Sequence, residues 1–172
     1  MTIEATNGTF NVQPKRGFVS YSQKYNGGMV YAVARVQESD TFDQDMGMAV
    51  AFAKCELSIR RFEESKAVKV VEEMHRQLRK ELKLSPDQNA SRFWSKHIST
   101  ACSYLRELRR YRRNQEKVLA LVSSGEYEGK SYKEMLKLAH DRVLLEEAEA
   151  KKKKEAEAKK KAKKESVNAD GE

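Results

Sequence analysis

The sequence predicts an α+β fold that is mainly helical. It consists of a small N-terminal antiparallel β-sheet packed on a helix, then long helices or a helical hairpin, then a charged C-terminal tail. Three observations carry this reading. The turn signal Asn26-Gly27-Gly28 sits between two runs rich in β-branched and aromatic residues. From about Asp40 onward, apolar residues recur every three or four positions, the period of an amphipathic helix. The 172 residues include 2 Pro and 8 Gly, few for a chain built from turns, which excludes a large all-β fold and a collagenous fibre.

The strand region comes first. Phe18, Val19 and Tyr21 precede the turn, and Met29 to Val36 follow it. Asn and Gly accept the positive φ of a tight hairpin turn, so these two runs pair. Phe10 and Val12 supply a further short strand, with Pro14 and Gly17 as punctuation. In the strand after the turn, Val30, Ala32, Ala34 and Val36 share one face, and Tyr31, Val33 and Arg35 the other. One face is expected against a helix and the other partly covered.

A helix begins near Asp40. Asp40 or Thr41 accepts its free amide hydrogens, and Asp43 and Asp45 suit the positive end of its dipole. Met46, Val50, Ala53 and Leu57 continue the apolar face, and Val71, Met74, Leu78 and Leu82 form a near-heptad seam. Glu63-Glu64-Ser65-Lys66 interrupts that face, so the region reads as one long helix with a break there or as two in series.

Ser85-Pro86-Asp87-Gln88 is a strong helix start, with a capping serine, a proline at the first position and a glutamine three residues on. Phe93, Ile98, Ala101, Leu105, Leu108, Tyr111, Val118, Leu119 and Val122 line the next helix, which Ser123-Ser124-Gly125 ends. Ser91 to Arg110 faintly suggests a helix-turn-helix, but the glycine-bearing turn is missing, and one continuous helix is the simpler account. Ser131 to Glu134 is another capping box, opening a helix through Met135, Leu138, Ala139 and Leu145. After Glu146 only Ala, Glu and Lys remain until Glu165. That tail favours helix but has nothing to bury, so its helicity is conditional, and Ser166 to Glu172 is expected to be disordered. The chain therefore divides into a β-hairpin-plus-helix module (1–64), a helical region (65–145) and a Lys/Glu/Ala tail (146–172).

The segment Val33 to Asp43, followed by Gly47, Ala49, Ala51 and Lys54, has a recognisable pattern. A strand ends in a polar turn, then come Asp-x-Phe-Asp, three residues, a glycine and an alanine-rich helix reaching a lysine. Over Met29 to Cys55 it resembles a recurring small module of uncharacterised bacteriophage proteins. The physical logic is that the acids cap the helix, Phe42 covers its first turn, and Gly47 with Ala49 or Ala51 lets it lie close to the sheet. The family's small members carry a tryptophan in the strand, which this hairpin lacks. The resemblance implies a phage or prophage origin and a small sheet packed on a helix. It carries over no active site.

No catalytic constellation stands out, and the chain reads as a non-enzyme without a cofactor. His75, His97 and His140 are far apart in sequence, and neither they nor Cys55 and Cys102 show a metal-ligand spacing. Both thiols read as free cysteines in a reducing compartment. Asp40, Asp43 and Asp45 lack the glycine offset and closing Glu of a calcium loop. Gly27-Gly28 is not followed by the Gly-Lys-Ser or Gly-Lys-Thr of a phosphate loop. No apolar run nears the roughly 20 residues that span a bilayer. The start of the chain lacks the pattern of a secretory leader, so a cytoplasmic location in a host bacterial cell is expected.

Charge is the sharpest remaining signal. Lys and Arg number 34 against 26 Asp and Glu, a net of +8. Up to Leu84 the net is +2, and from Ser85 it is +6. Arg106, Arg109, Arg110, Arg112 and Arg113 lie within eight residues, with Arg92 and Lys96 nearer the start of that helix or on the one before it. Arg106, Arg109, Arg110 and Arg113 share a helical face, and the planar guanidinium fork suits phosphate or carboxylate. The tail adds Lys151, Lys152, Lys153, Lys154, Lys159, Lys160, Lys161, Lys163 and Lys164. Together they suit a nucleic-acid backbone, DNA or RNA. The competing reading is a solvated face paired with Glu63, Glu64, Glu72 and Glu73 of the first long helix. Phe93 and Trp94 read as core anchors, with base stacking as the alternative.

The function expected is that of a phage-type accessory protein binding nucleic acid through this basic helix and tail. One alternative is an inhibitor or adaptor docking on a host protein, such as a defence nuclease, with an acidic or nucleic-acid-binding surface. Another is a structural assembly component, a dimer or higher oligomer held by the Val71–Leu82 seam.

Overall fold

The structure is a computed structural model that describes residues 1–36, 41–84 and 88–169, with side chains at all of these except 84, 88–90 and 160–169. Four strands come first: β1 (Thr2–Ala5), β2 (Gly8–Gln13), β3 (Phe18–Tyr25) and β4 (Gly28–Arg35). Three helices follow: α1 (Gln44–Leu84), α2 (Gln88–Ser123) and α3 (Tyr132–Ala169). The strands form one antiparallel meander in the order β1-β2-β3-β4. The expected turn joins β3 to β4, with Asn26 at φ 52° and Gly27 at φ 78°, the left-handed pair a two-residue hairpin turn needs. β1 is an addition to the expected sheet. Its Ile3 pairs with Phe10, so a segment that reads as polar contributes an alternating apolar face.

Register places Phe10 opposite Tyr21, Val12 opposite Val19, and Tyr21 opposite Ala32. Side chains alternate along a strand, so Phe10, Val12, Val19, Tyr21 and Ala34 fall on one face. That face packs on Met48, Ala51 and Cys55 of α1. The other face leaves Tyr31 and Met29 exposed, so the partial cover expected for it is absent at those two residues. Gly47 is the point of closest approach between layers. A Cβ there would sit 2.7 Å from the Val19 Cγ2, which is why α1 carries glycine at this position.

A second core lies on another face of α1. Ala49 and Ala53 meet Val118 and Val122 of α2 and Met135, Leu136, Ala139 and Val143 of α3. Tyr132 joins the two cores, its ring 5.3 Å from that of Phe10. Burial pushes the Cys55 thiol up to about 11 and the Tyr21 hydroxyl up to about 12.

Several helix expectations are corrected by this arrangement. The cap of α1 is Asp43, whose Oδ1 accepts the Met46 amide hydrogen at 3.0 Å, rather than Thr41; Asp40 lies outside the described residues. Asp45 acts at a distance, accepting the Tyr132 amide hydrogen at 3.0 Å where α3 starts. α1 runs through Glu63-Glu64-Ser65-Lys66 without a break. The start signal at Ser85-Pro86-Asp87 lies outside the described residues. α2 is one continuous helix, which excludes a helix-turn-helix at Ser91–Arg110. At α3 the capping box forms, with Glu134 Oε2 accepting from the Ser131 amide and hydroxyl. Met135, Ala139 and Val143 face inward there, while Leu138 and Leu145 are exposed. α3 then continues through the Lys/Glu/Ala tail to Ala169, so Ser166 to Ala169 are helical.

At about 1.5 Å per residue, α1 is roughly 60 Å long. The sheet reaches along it as far as Glu63, which accepts the Tyr25 hydroxyl at 2.7 Å. Residues 65–84 of α1 continue beyond the sheet beside the first half of α2. No described helix is long and apolar enough to cross a membrane.

Candidate nucleic-acid interface

α2 carries the basic residues. α1 and α2 run antiparallel, as three pairings show: Trp94 Nε1 donates to Glu81 at 2.6 Å, Arg112 to Glu64 at 2.6 Å, and Arg61 to Glu116 at 3.4 Å. Ile98, Leu105 and Leu108 are buried along the seam, with Met74 and Leu78 of α1 half-buried. The Val71–Leu82 stripe is thus largely used inside the chain.

The arginine cluster divides. Arg109 Nε (3.1 Å) and Arg112 Nε (2.6 Å) both bond Glu64. Arg112 also reaches Glu116 at 2.7 Å. Burial pushes the Glu64 carboxyl up, but the hydrogen bonds from Arg112 and Arg109 outweigh it and hold the group below the usual carboxylate range. Hydrogen bonding to Glu64 raises the Arg112 guanidinium above its ordinary value. Arg110 is tied to Glu147 of α3 at 3.2 Å. These three arginines are therefore cross-braces between helices as well as surface charge. Glu64 is one of the acids sequence reasoning offered as a partner.

The remainder of the set pairs differently. Among the described residues, Arg92, Lys96, Arg106 and Arg113 make no ion pair. Arg106 bonds the Cys102 carbonyl and the Ser103 hydroxyl, and Arg113 the Arg109 carbonyl. All four are exposed. At 3.6 residues per turn, Arg92, Lys96, Arg106, Arg110, Arg113 and Lys117 fall along one flank of α2. They extend for roughly 37 Å. Around Arg106, Arg109, Arg110 and Arg113 the surface forms an open concavity of about 700 Å³.

α3 is tied to this flank at its middle. Lys117 pairs with Glu146 at 3.2 Å, and Asn114 donates to Glu147 at 3.0 Å. One turn later come Lys151, Lys152, Lys153 and Lys154, then Lys159, all exposed. The helix backbone continues through Lys160, Lys161, Lys163 and Lys164, whose side chains lie outside the described residues.

Phe93 and Trp94 are not core anchors. Phe93 is 56% exposed and Trp94 half-buried, and among the described residues neither belongs to a buried core cluster. One cluster escaped sequence reasoning. Arg76, Arg79, Lys80 and Lys83 gather on the outer side of α1 around a depression of about 440 Å³ that also includes Glu72 and His75. Their three- and four-residue spacings were the available signal. Among the described residues, no group of three His, Cys, Asp or Glu side chains is placed to hold a metal ion. No family model matches the chain, and no curated protein or solved structure matches it.

Proposed function

We propose that this chain binds nucleic acid without chemistry, gripping the phosphate backbone with the outer flank of α2 and the lysines of α3. The observation that carries the reading is the split within the arginine cluster. Arg109, Arg110 and Arg112 have intramolecular carboxylates, whereas Arg92, Lys96, Arg106 and Arg113 form an exposed row with none among the described residues. An arginine needed only for the fold would be expected to face an acid, as Arg112 does. The lysines of α3 add a second, less directional charge source next to that row. The likeness of Met29–Cys55 to a phage module supports a phage-type accessory protein at work in the cytoplasm of a bacterial host.

Gel-shift titration at two salt concentrations tests this. Affinity should fall steeply with salt, and Arg106→Ala with Arg113→Ala should each lower the slope of log K against log salt by roughly one phosphate contact. Absence of binding at low salt would overturn the reading. A complex recovered from nuclease-treated bacterial lysate, without nucleic-acid binding, would favour the host-protein adaptor instead.

A further inference from the structure

Beside the basic row, α2 carries a second row that the fold does not use. Phe93, His97, Tyr104 and Tyr111 follow one another at intervals of four, seven and seven residues, which places them along one line of the helix. Phe93, Tyr104 and Tyr111 are 56%, 60% and 47% exposed. Lower on α2 the corresponding line holds Val118 and Val122, which α3 covers. The ion pairs of α3 with α2 end at Arg110–Glu147 among the described residues, and above that level the line is aromatic and open. Its rings are already grouped: Phe93 lies 4.2 Å from His97 and edge-on to Trp94 at 5.7 Å. The Arg110 guanidinium lies 5.3 Å from the Tyr111 ring.

Resting on the nucleic-acid reading above, we infer that the ligand is single-stranded. Its phosphates lie on Arg92, Lys96 and Arg106, and its bases stack on Phe93, Tyr104 and Tyr111. The two rows are about a third of a turn apart on a helix about 10–12 Å across, an arc that one nucleotide spans from phosphate to base. In a duplex the base faces are already stacked, so the aromatic row would gain nothing. A single strand offers those faces, and stacking needs no particular sequence. A second copy of the chain is the other occupant such a row suits. Facing two α2 helices would bring their unpaired arginines together in a protein of net charge +8, which opposes it. Glu107 is exposed and lies between the two rows, where it repels a phosphate strand.

Fluorescence anisotropy of the full chain with labelled oligo-dT, oligo-U and a duplex of equal length tests the inference. Single strands should bind at least about tenfold more tightly than the duplex, and comparing the two oligomers separates DNA from RNA. Tyr104→Ala and Phe93→Ala should each weaken single-strand binding by about fivefold or more and leave duplex binding unchanged. Tyr104→Phe should keep it, and Glu107→Gln should tighten it. These residues are exposed, so far-UV circular dichroism should be unchanged in every variant. Equal binding of single strand and duplex, indifferent to the aromatic variants, would overturn the stacking inference while leaving the backbone-binding reading intact. No binding of any oligonucleotide would overturn both. A dimer in light scattering that Tyr104→Ala converts to monomer would assign the row to self-association and overturn the inference.

Discussion

The lower part of the molecule and the projecting helical hairpin are built from the same helices but are held by different means. In the lower part, α1 meets the sheet on one face and α2 and α3 on another, and Phe10, Val12, Val19, Tyr21, Val118 and Met135 are completely buried. In the hairpin, residues 65–84 of α1 lie beside α2, and among the described residues none of them belongs to either buried core cluster. One seam between two helices leaves Met74 and Leu78 half-buried and Leu82 exposed, so polar cross-links such as Trp94–Glu81 carry part of the pairing. The difference shows how a small chain keeps the outer flank of a helix accessible. The third helix that would complete the hairpin's core is also what would cover its outer rows.

Cutting into the lower core should have the largest effect. Phe10→Ala removes a fully buried ring that touches Tyr21 and Tyr132, and should cost about 3–5 kcal/mol in urea unfolding. Next comes Gly47→Ala. The added methyl would press on Val19, a stiff β-branched neighbour at 2.7 Å, and should cost about 1–3 kcal/mol. The reverse change, Ala120→Gly at an exposed position of α2, should cost about 1 kcal/mol through helix propensity alone. A Gly47→Ala protein as stable as the parent would refute the close approach of α1 to the sheet.

The hairpin should respond differently. Leu78→Ala loses a side chain that is only half-buried, so the expected cost is roughly 1 kcal/mol, below the range for a complete core. Its effect should be local. Hydrogen exchange should quicken in residues 65–84 and in the first half of α2, while the amides of β2 and β3 keep their protection. Uniform acceleration through the sheet would show that the two parts unfold as one unit.

Much of this division was legible from particular residues. Asn26-Gly27 fixed the hairpin turn because few residues accept its φ, and Ser131 with Glu134 fixed the start of α3. Asp43 was harder to single out: Asp40, Thr41, Asp43 and Asp45 all carry capping oxygens, and only the backbone path selects one. β1 was hidden because just Ile3 and Ala5 alternate with polar neighbours. Glu63 and Glu64 looked like a break in α1, since sequence shows a polar interruption but not the Tyr25, Arg60, Arg109 and Arg112 side chains that receive it. The same blindness to distant partners left the arginines as a single face. Their division into cross-braces and free cations depends on which acids α1 and α3 bring within 4 Å.

That division supplies the smallest effect and the most specific one. Glu64 joins α1 to both Arg109 and Arg112, and its carboxyl is held below its ordinary value of 4.5. Between the lowered and the ordinary value, an unfolded chain takes up the proton and the folded chain does not. Stability from this group is therefore complete above the ordinary value and is lost as pH falls through the lowered one. Arg109 is half exposed, so solvent screening keeps the gain to about 1 kcal/mol or less. Glu64→Gln should lower the melting temperature slightly at pH 7 and flatten its decline on acidification below about pH 4.5, relative to the parent chain. Arg113→Gln, on the unpaired row, should leave both unchanged. If the two variants behaved alike in thermal melts across that pH range, the split between bracing and free arginines would fail, and with it the reason for assigning the free row to a ligand.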